Sequence, residues 1–90
     1  MVRIATAGNT ENPALLVLKA KGYEVRVGLD EEGQIVSFWA RQNSNVFIAD
    51  SLVSLLGLVA LWENRGDNWP THDDEPDYYD QPFEERDETW

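Results

Sequence analysis

Asp73, Glu75, Asp77 and Glu84 stand at positions 1, 3, 5 and 12 of a twelve-residue window, the spacing at which a calcium loop supplies its carboxylates. The rest of the window argues against such a site. Its sixth position, where the loop needs glycine for a sharp turn, is Tyr78, and Pro76 and Pro82 constrain the path. No metal site is expected. The lone histidine, His72, precedes Asp73, Asp74 and Glu75, but acid–base chemistry needs held geometry and this segment shows no rigid scaffold. With no cysteine and no serine in a nucleophile elbow, the sequence predicts no catalytic residue, no cofactor and no enzyme.

What these residues share is charge. Residues 67–90 hold ten of the seventeen carboxylates, one base (Arg86) and five of the ten aromatics, so they carry −9 of the net −10. Residues 1–66 are almost neutral, with seven acidic and six basic side chains. Clustered carboxylates steer association toward a positive partner, and interleaved aromatics supply the anchors that give residence time. The predicted partner-binding residues are Asp73, Asp74, Glu75, Asp77, Tyr78, Tyr79, Asp80, Phe83, Glu84, Glu85 and Trp90. A purely solvated tail is the plainer alternative, although such tails are poor in aromatics.

The elements that must position this segment are legible as patterns. Val2 to Thr6 favours a strand, and Asn12 and Pro13 suit the N-cap and first position of a helix that ends at Gly22. Tyr23, Val25 and Val27 alternate with polar residues, as do Val36, Phe38 and Ala40. With Val46 to Ala49 and short turns between, residues 23–49 read as a three-strand meander. Asp50 or Ser51 caps a second helix reaching about Asn64 and stopping at Gly66. Its stripe is Leu52, Leu55, Leu56, Val59 and Trp62, with Val53, Leu58 and Leu61 beside and behind it. A helix this apolar must be covered on more than one side, by the sheet, the first helix, the tail, a partner or a second copy. Ser54, Gly57 and Ala60 would permit close approach in a homodimer through this helix.

The expected fold class is therefore α+β: residues 1–66 form a small mixed sheet of about four strands in chain order β-α-β-β-β-α. Its first strand, helix and next strand make a parallel unit, both helices lie mainly on one sheet face, and the acidic tail spans residues 67–90. The opposite sheet face would present Arg3, Arg26, Trp39 and Arg41. The tail could fold across that face as plain cover or as a gate over a nucleic-acid site. Three arginines make a thin footprint for nucleic acid, and net −10 opposes it at long range.

Ala7-Gly8-Asn9, Asn12-Pro13-Ala14-Leu15 and Lys21-Gly22-Tyr23-Glu24-Val25 resemble the opening strand-loop-helix-strand of glycosyltransferases that use nucleotide-sugar donors. The loop lacks that family's additional glycines and histidine, and 90 residues leave no room for two large domains, so no activity is carried over. No signal peptide or membrane-length apolar run is visible, and a cytoplasmic location is expected. The composition predicts a small acidic interaction protein, an immunity-like or inhibitory partner of a basic, nucleic-acid-processing protein. A nucleic-acid-binding module autoinhibited by its tail and a self-associating structural subunit are the alternatives.

Overall fold

The structure, a computed structural model, describes residues 2–4 and 8–75. Its elements are α1 (Glu11–Ala20), β1 (Glu24–Leu29), β2 (Ile35–Gln42), β3 (Asn45–Ala49) and α2 (Leu52–Arg65), with single 3-10 turns at Gly8–Thr10 and Gly66–Asn68. The fold is α+β, as the patterning predicts, but among the described residues the sheet has three strands in order β1-β2-β3, all antiparallel. Residues 2–4 of the expected first strand form none, so the described order is α-β-β-β-α, and among the described residues no parallel crossover is made. Strand propensity is realised only against a surface that packs the side chains. Val2 and Ile4 have none, being 79% and 77% exposed.

Local chemistry sets each boundary. Helix α1 begins at Glu11 rather than at Pro13, and Thr10 rather than Asn12 holds the N-cap position. Pro13 remains in the first turn, where its missing N–H costs no helical bond. At the other end the Tyr23 N–H donates to Leu18 O and the Gly22 N–H to Lys19 O, the paired bonds of a Schellman stop. Buried Tyr23 and Leu18 belong to the same core cluster. Asp30 organises the first hairpin turn by accepting from the N–H groups of Glu32 and Gln34. Asn43, in the left-handed region at φ 58°, makes the second hairpin with a two-residue loop.

Both helices cover one face of the sheet. The core joins Ala14, Leu18, Tyr23, Ala40, Leu52, Leu55 and Val59, with Val25, Phe38, Phe47 and Leu56 packed against it. Leu18, Leu55 and Val59 are fully buried. Toward its turn the β1–β2 pairing shifts register, with Val36 the unpaired residue, and the side chains there leave the core. Val27 and Val36, expected in the core, are therefore about half exposed.

The start of α2 is completed by α1. Ser51 Oγ accepts from the Ser54 N–H in the ordinary capping geometry. The carboxylate of Glu11 accepts from the N–H groups of Leu52 at 2.8 Å and Val53 at 3.3 Å, in a partly buried position. Three N–H groups that a helix leaves unsatisfied at its start thus have partners, two of them on another element. A Lys21–Glu63 ion pair at 2.9 Å ties the opposite ends of the same two helices. No helix among the described residues is long and apolar enough to cross a membrane.

Candidate interaction surface

Helix α2 ends where Gly66 adopts φ 74°, a conformation that strains any side-chain-bearing residue. The chain turns there, and Arg65 holds the residues beyond the turn. Its Nε donates to Trp69 O at 2.7 Å, and its Nη2 reaches Pro70 O at 3.2 Å and Glu75 Oε1 at 2.5 Å. The same Glu75 oxygen accepts from the His72 N–H, and the Glu75 N–H donates back to His72 O. His72 Nε2 also lies 2.8 Å from Asn68 O. The opening of the acidic segment, Asp67 to Glu75, is therefore tied to the end of α2.

These contacts define a pH response. The Arg65 hydrogen bond, with the His72 N–H second, holds the Glu75 carboxyl below its ordinary value of 4.5. A depressed carboxylate contributes stability that is present above its unfolded value and is lost as pH falls through its lower folded value. The Trp69 and His72 resonances should accordingly shift together in NMR as pH drops below about 4.5, and Glu75→Gln should produce the acid-like spectrum at neutral pH. Glu75→Gln spectra that match the parent at neutral pH would show that Glu75 does not hold the segment.

Alongside the tied segment runs a groove of about 330 Å³ between β3 and α2. Val46 and Ile48 line it from the strand, Leu58, Leu61 and Trp62 from the helix, and Asp67 and Trp69 from the acidic segment. Of these apolar side chains, all but Trp62 are at least one-third exposed. Tyr23, Phe47 and Trp62 form a row of tilted rings with centroids 5.9 Å apart. The Trp62 indole N–H at its end donates to Asp67 at 2.9 Å. The uncovered side of α2 is thus localised: Leu58 and Leu61 line this groove. Ser54, Gly57 and Ala60 are also exposed.

The open sheet face gathers Arg26, Trp39 and Arg41 as the alternation predicts, since Arg26 pairs with Trp39 and Glu24 with Arg41 across β1 and β2. The arginines are not free. Glu24 bridges both, at 2.6 Å to Arg26 and 3.1 Å to Arg41, and Arg26 above all, with Arg41, lowers the Glu24 carboxyl below 4.5. Trp39 lies across β1, its indole N–H donating to Ser37 Oγ at 3.0 Å. A Cβ on Gly28 would crowd that hydroxyl and come within 3.1 Å of the Trp39 indole nitrogen, so glycine leaves room for the ring. Arg3 belongs to the exposed N-terminal residues and not to this sheet.

Of the predicted partner-binding residues, Asp73, Asp74 and Glu75 are described: the first two are exposed and the third is half-buried against Arg65. Asp77, Tyr78, Tyr79, Asp80, Phe83, Glu84, Glu85 and Trp90 lie outside the described residues. Sequence reasoning missed Arg65 and the groove wall at Asp67 and Trp69. The signal was present in an arginine on the last helical turn, followed by glycine and a carbonyl-rich, proline-interrupted stretch. Among the described residues no group of three or more metal-ligating side chains is assembled. Comparison with protein-family models, curated proteins and solved structures gives no match to this chain.

Proposed function

We propose that this chain is a small, acidic, non-enzymatic interaction protein of the cytoplasm. It captures a basic protein in the manner of an immunity or inhibitory partner of a nucleic-acid-processing enzyme. The observation that carries this reading is the Arg65 tie, which places the start of a segment of net −9 beside an exposed apolar groove. Long-range attraction and short-range anchoring then share one surface. Carboxylates raise the rate of encounter with a positive partner, and Trp69, Leu58 and Leu61 give the encounter apolar area to bury. The nucleic-acid alternative draws on Arg26, Trp39 and Arg41. With Glu24 bridging both arginines, that face offers one net positive charge, which supports little phosphate binding.

The test replaces Asp73, Asp74, Asp77 and Asp80 with asparagine and leaves Glu75 in place, so that the Arg65 tie survives. Parent and variant are used in parallel to capture proteins from the source cytosol, and association with each recovered protein is timed in stopped flow. The expected result is a basic partner whose association rate falls on the order of tenfold or more in the variant. That difference should shrink toward 1 M salt, where the screening length is about 3 Å. A parent that retains nothing the variant loses would remove the reading.

A further inference from the structure

The two edges of the sheet are built differently. The β1 edge carries Glu24 and Arg26, and charges of this kind oppose the addition of another strand. The β3 edge is Asn45-Val46-Phe47-Ile48-Ala49, with no charge, no proline and no register break. Among the described residues no strand pairs with it. The two-residue loop makes Gln42 and Asn45 the hydrogen-bonded closing pair, and bonding then alternates along the ladder. Asn45, Phe47 and Ala49 direct their N–H and C=O groups toward β2, while Val46 and Ile48 direct theirs outward. Those outward groups border the groove walled by Leu58, Leu61 and Trp69.

We infer that the β3 edge is a strand-addition site that receives an extended segment of a basic protein. This rests on the function proposed above and gives it a binding mode. An added strand would lie about 4.8 Å from β3 and take its main-chain bonds from Val46 and Ile48. Its alternate side chains would rest on Leu58, Leu61 and Trp69, the arrangement that gives such sites their side-chain preference. Charge selects the occupant. Asp67 lines the groove and opens a segment of net −9. Two copies meeting edge to edge would bring two such segments together, whereas a strand flanked by lysine or arginine meets opposite charge. The chain's own acidic residues 76–90, with one arginine against six carboxylates, suffer the same repulsion as a second copy.

The test uses the full chain and labelled nine-residue peptides in fluorescence anisotropy. The probe is Lys-Lys-Val-Thr-Val-Thr-Val-Lys-Lys. Its controls replace the centre with Gly-Ser-Gly-Ser-Gly, replace the lysines with glutamates, or methylate alternate backbone nitrogens. Val46→Pro removes an outward N–H from an edge position where proline costs no ladder bond, and its fold is checked by circular dichroism. The expected result is that the probe binds on the order of tenfold more tightly than each control. It should also lose on the order of tenfold on Val46→Pro and protect the Val46 and Ile48 amides from hydrogen exchange. Equal binding of the glycine–serine or methylated peptide would overturn strand addition and leave the charge-based reading standing. So would unchanged binding to Val46→Pro. Equal binding of the glutamate-flanked peptide would overturn the basic occupant. A dimer sensitive to Val46→Pro in light scattering, without peptide, would assign the edge to a second copy and overturn the proposal. If none of the three lysine-flanked peptides binds, the strand-addition site is overturned, and the capture experiment above decides the interaction function separately.

Discussion

Leu55→Ala should destabilise the domain by about 2–5 kcal/mol, because it empties a fully buried position that the surrounding helices and sheet cannot close around. For a chain of this size the whole stability is roughly 5–10 kcal/mol. The melting temperature should therefore fall by on the order of 10 °C or more in a thermal melt followed by circular dichroism. Leu56→Ala is the internal control. Leu56 is only partly buried and sits at the margin of the core, so its truncation should cost clearly less. Equal melting of Leu55→Ala and the parent, or a larger loss from Leu56→Ala, would mean that α2 presents a different face to the sheet.

Glu11→Ala should have the next largest effect, about 1–2 kcal/mol, although Glu11 is only half-buried and contributes no side chain to the apolar core. Its carboxylate is the partner of the Leu52 and Val53 N–H groups. Removing it leaves two N–H donors of the first turn of α2 without their acceptor and takes away a negative charge placed where the helix dipole favours one. Glu11→Gln keeps an acceptor but no charge and should fall between Glu11→Ala and the parent. Amide exchange at Leu52 and Val53 should accelerate in Glu11→Ala before global unfolding does. A variant whose denaturation midpoint matches the parent would show that Ser51 and water suffice to cap α2.

The contrast between these two residues shows what a linear sequence discloses. Leu52, Leu55 and Val59 recur at helical spacing, and Tyr23, Val25, Phe38 and Ala40 alternate at strand spacing. Each pattern is a property of one element, so the buried faces could be read directly. The turn at Asp30-Glu31-Glu32-Gly33 and the stop at Gly22 are equally local. Val2 to Ile4 carried the right composition for a strand and formed none, because strand propensity is realised only where side chains pack, and Val2 and Ile4 stay exposed. Glu11 stands in the loop before the expected N-cap at Asn12, and nothing near it in the sequence reveals that its partner is forty-one residues away. Arg26 and Arg41 were placed on the correct face, while the Glu24 bridge between them depended on register across two strands. Periodicity identifies faces; polar pairings across elements form only once those faces have met.

The Glu11 contact also has a consequence for how the chain is made. The β1–β2–β3 meander closes through short turns, and such local pairings form early and quickly. Helix α1 leaves the ribosome before the meander, yet its two polar ties reach across separations of 41 and 42 residues, to Leu52 and to Glu63. During synthesis α1 must wait, with Leu18 uncovered, until nearly the whole domain has emerged. Helix α2, made after the meander, is the one that completes α1, so a ribosome stalled between β3 and α2 would hold a formed hairpin sheet with an exposed apolar face and a half-made partner for it.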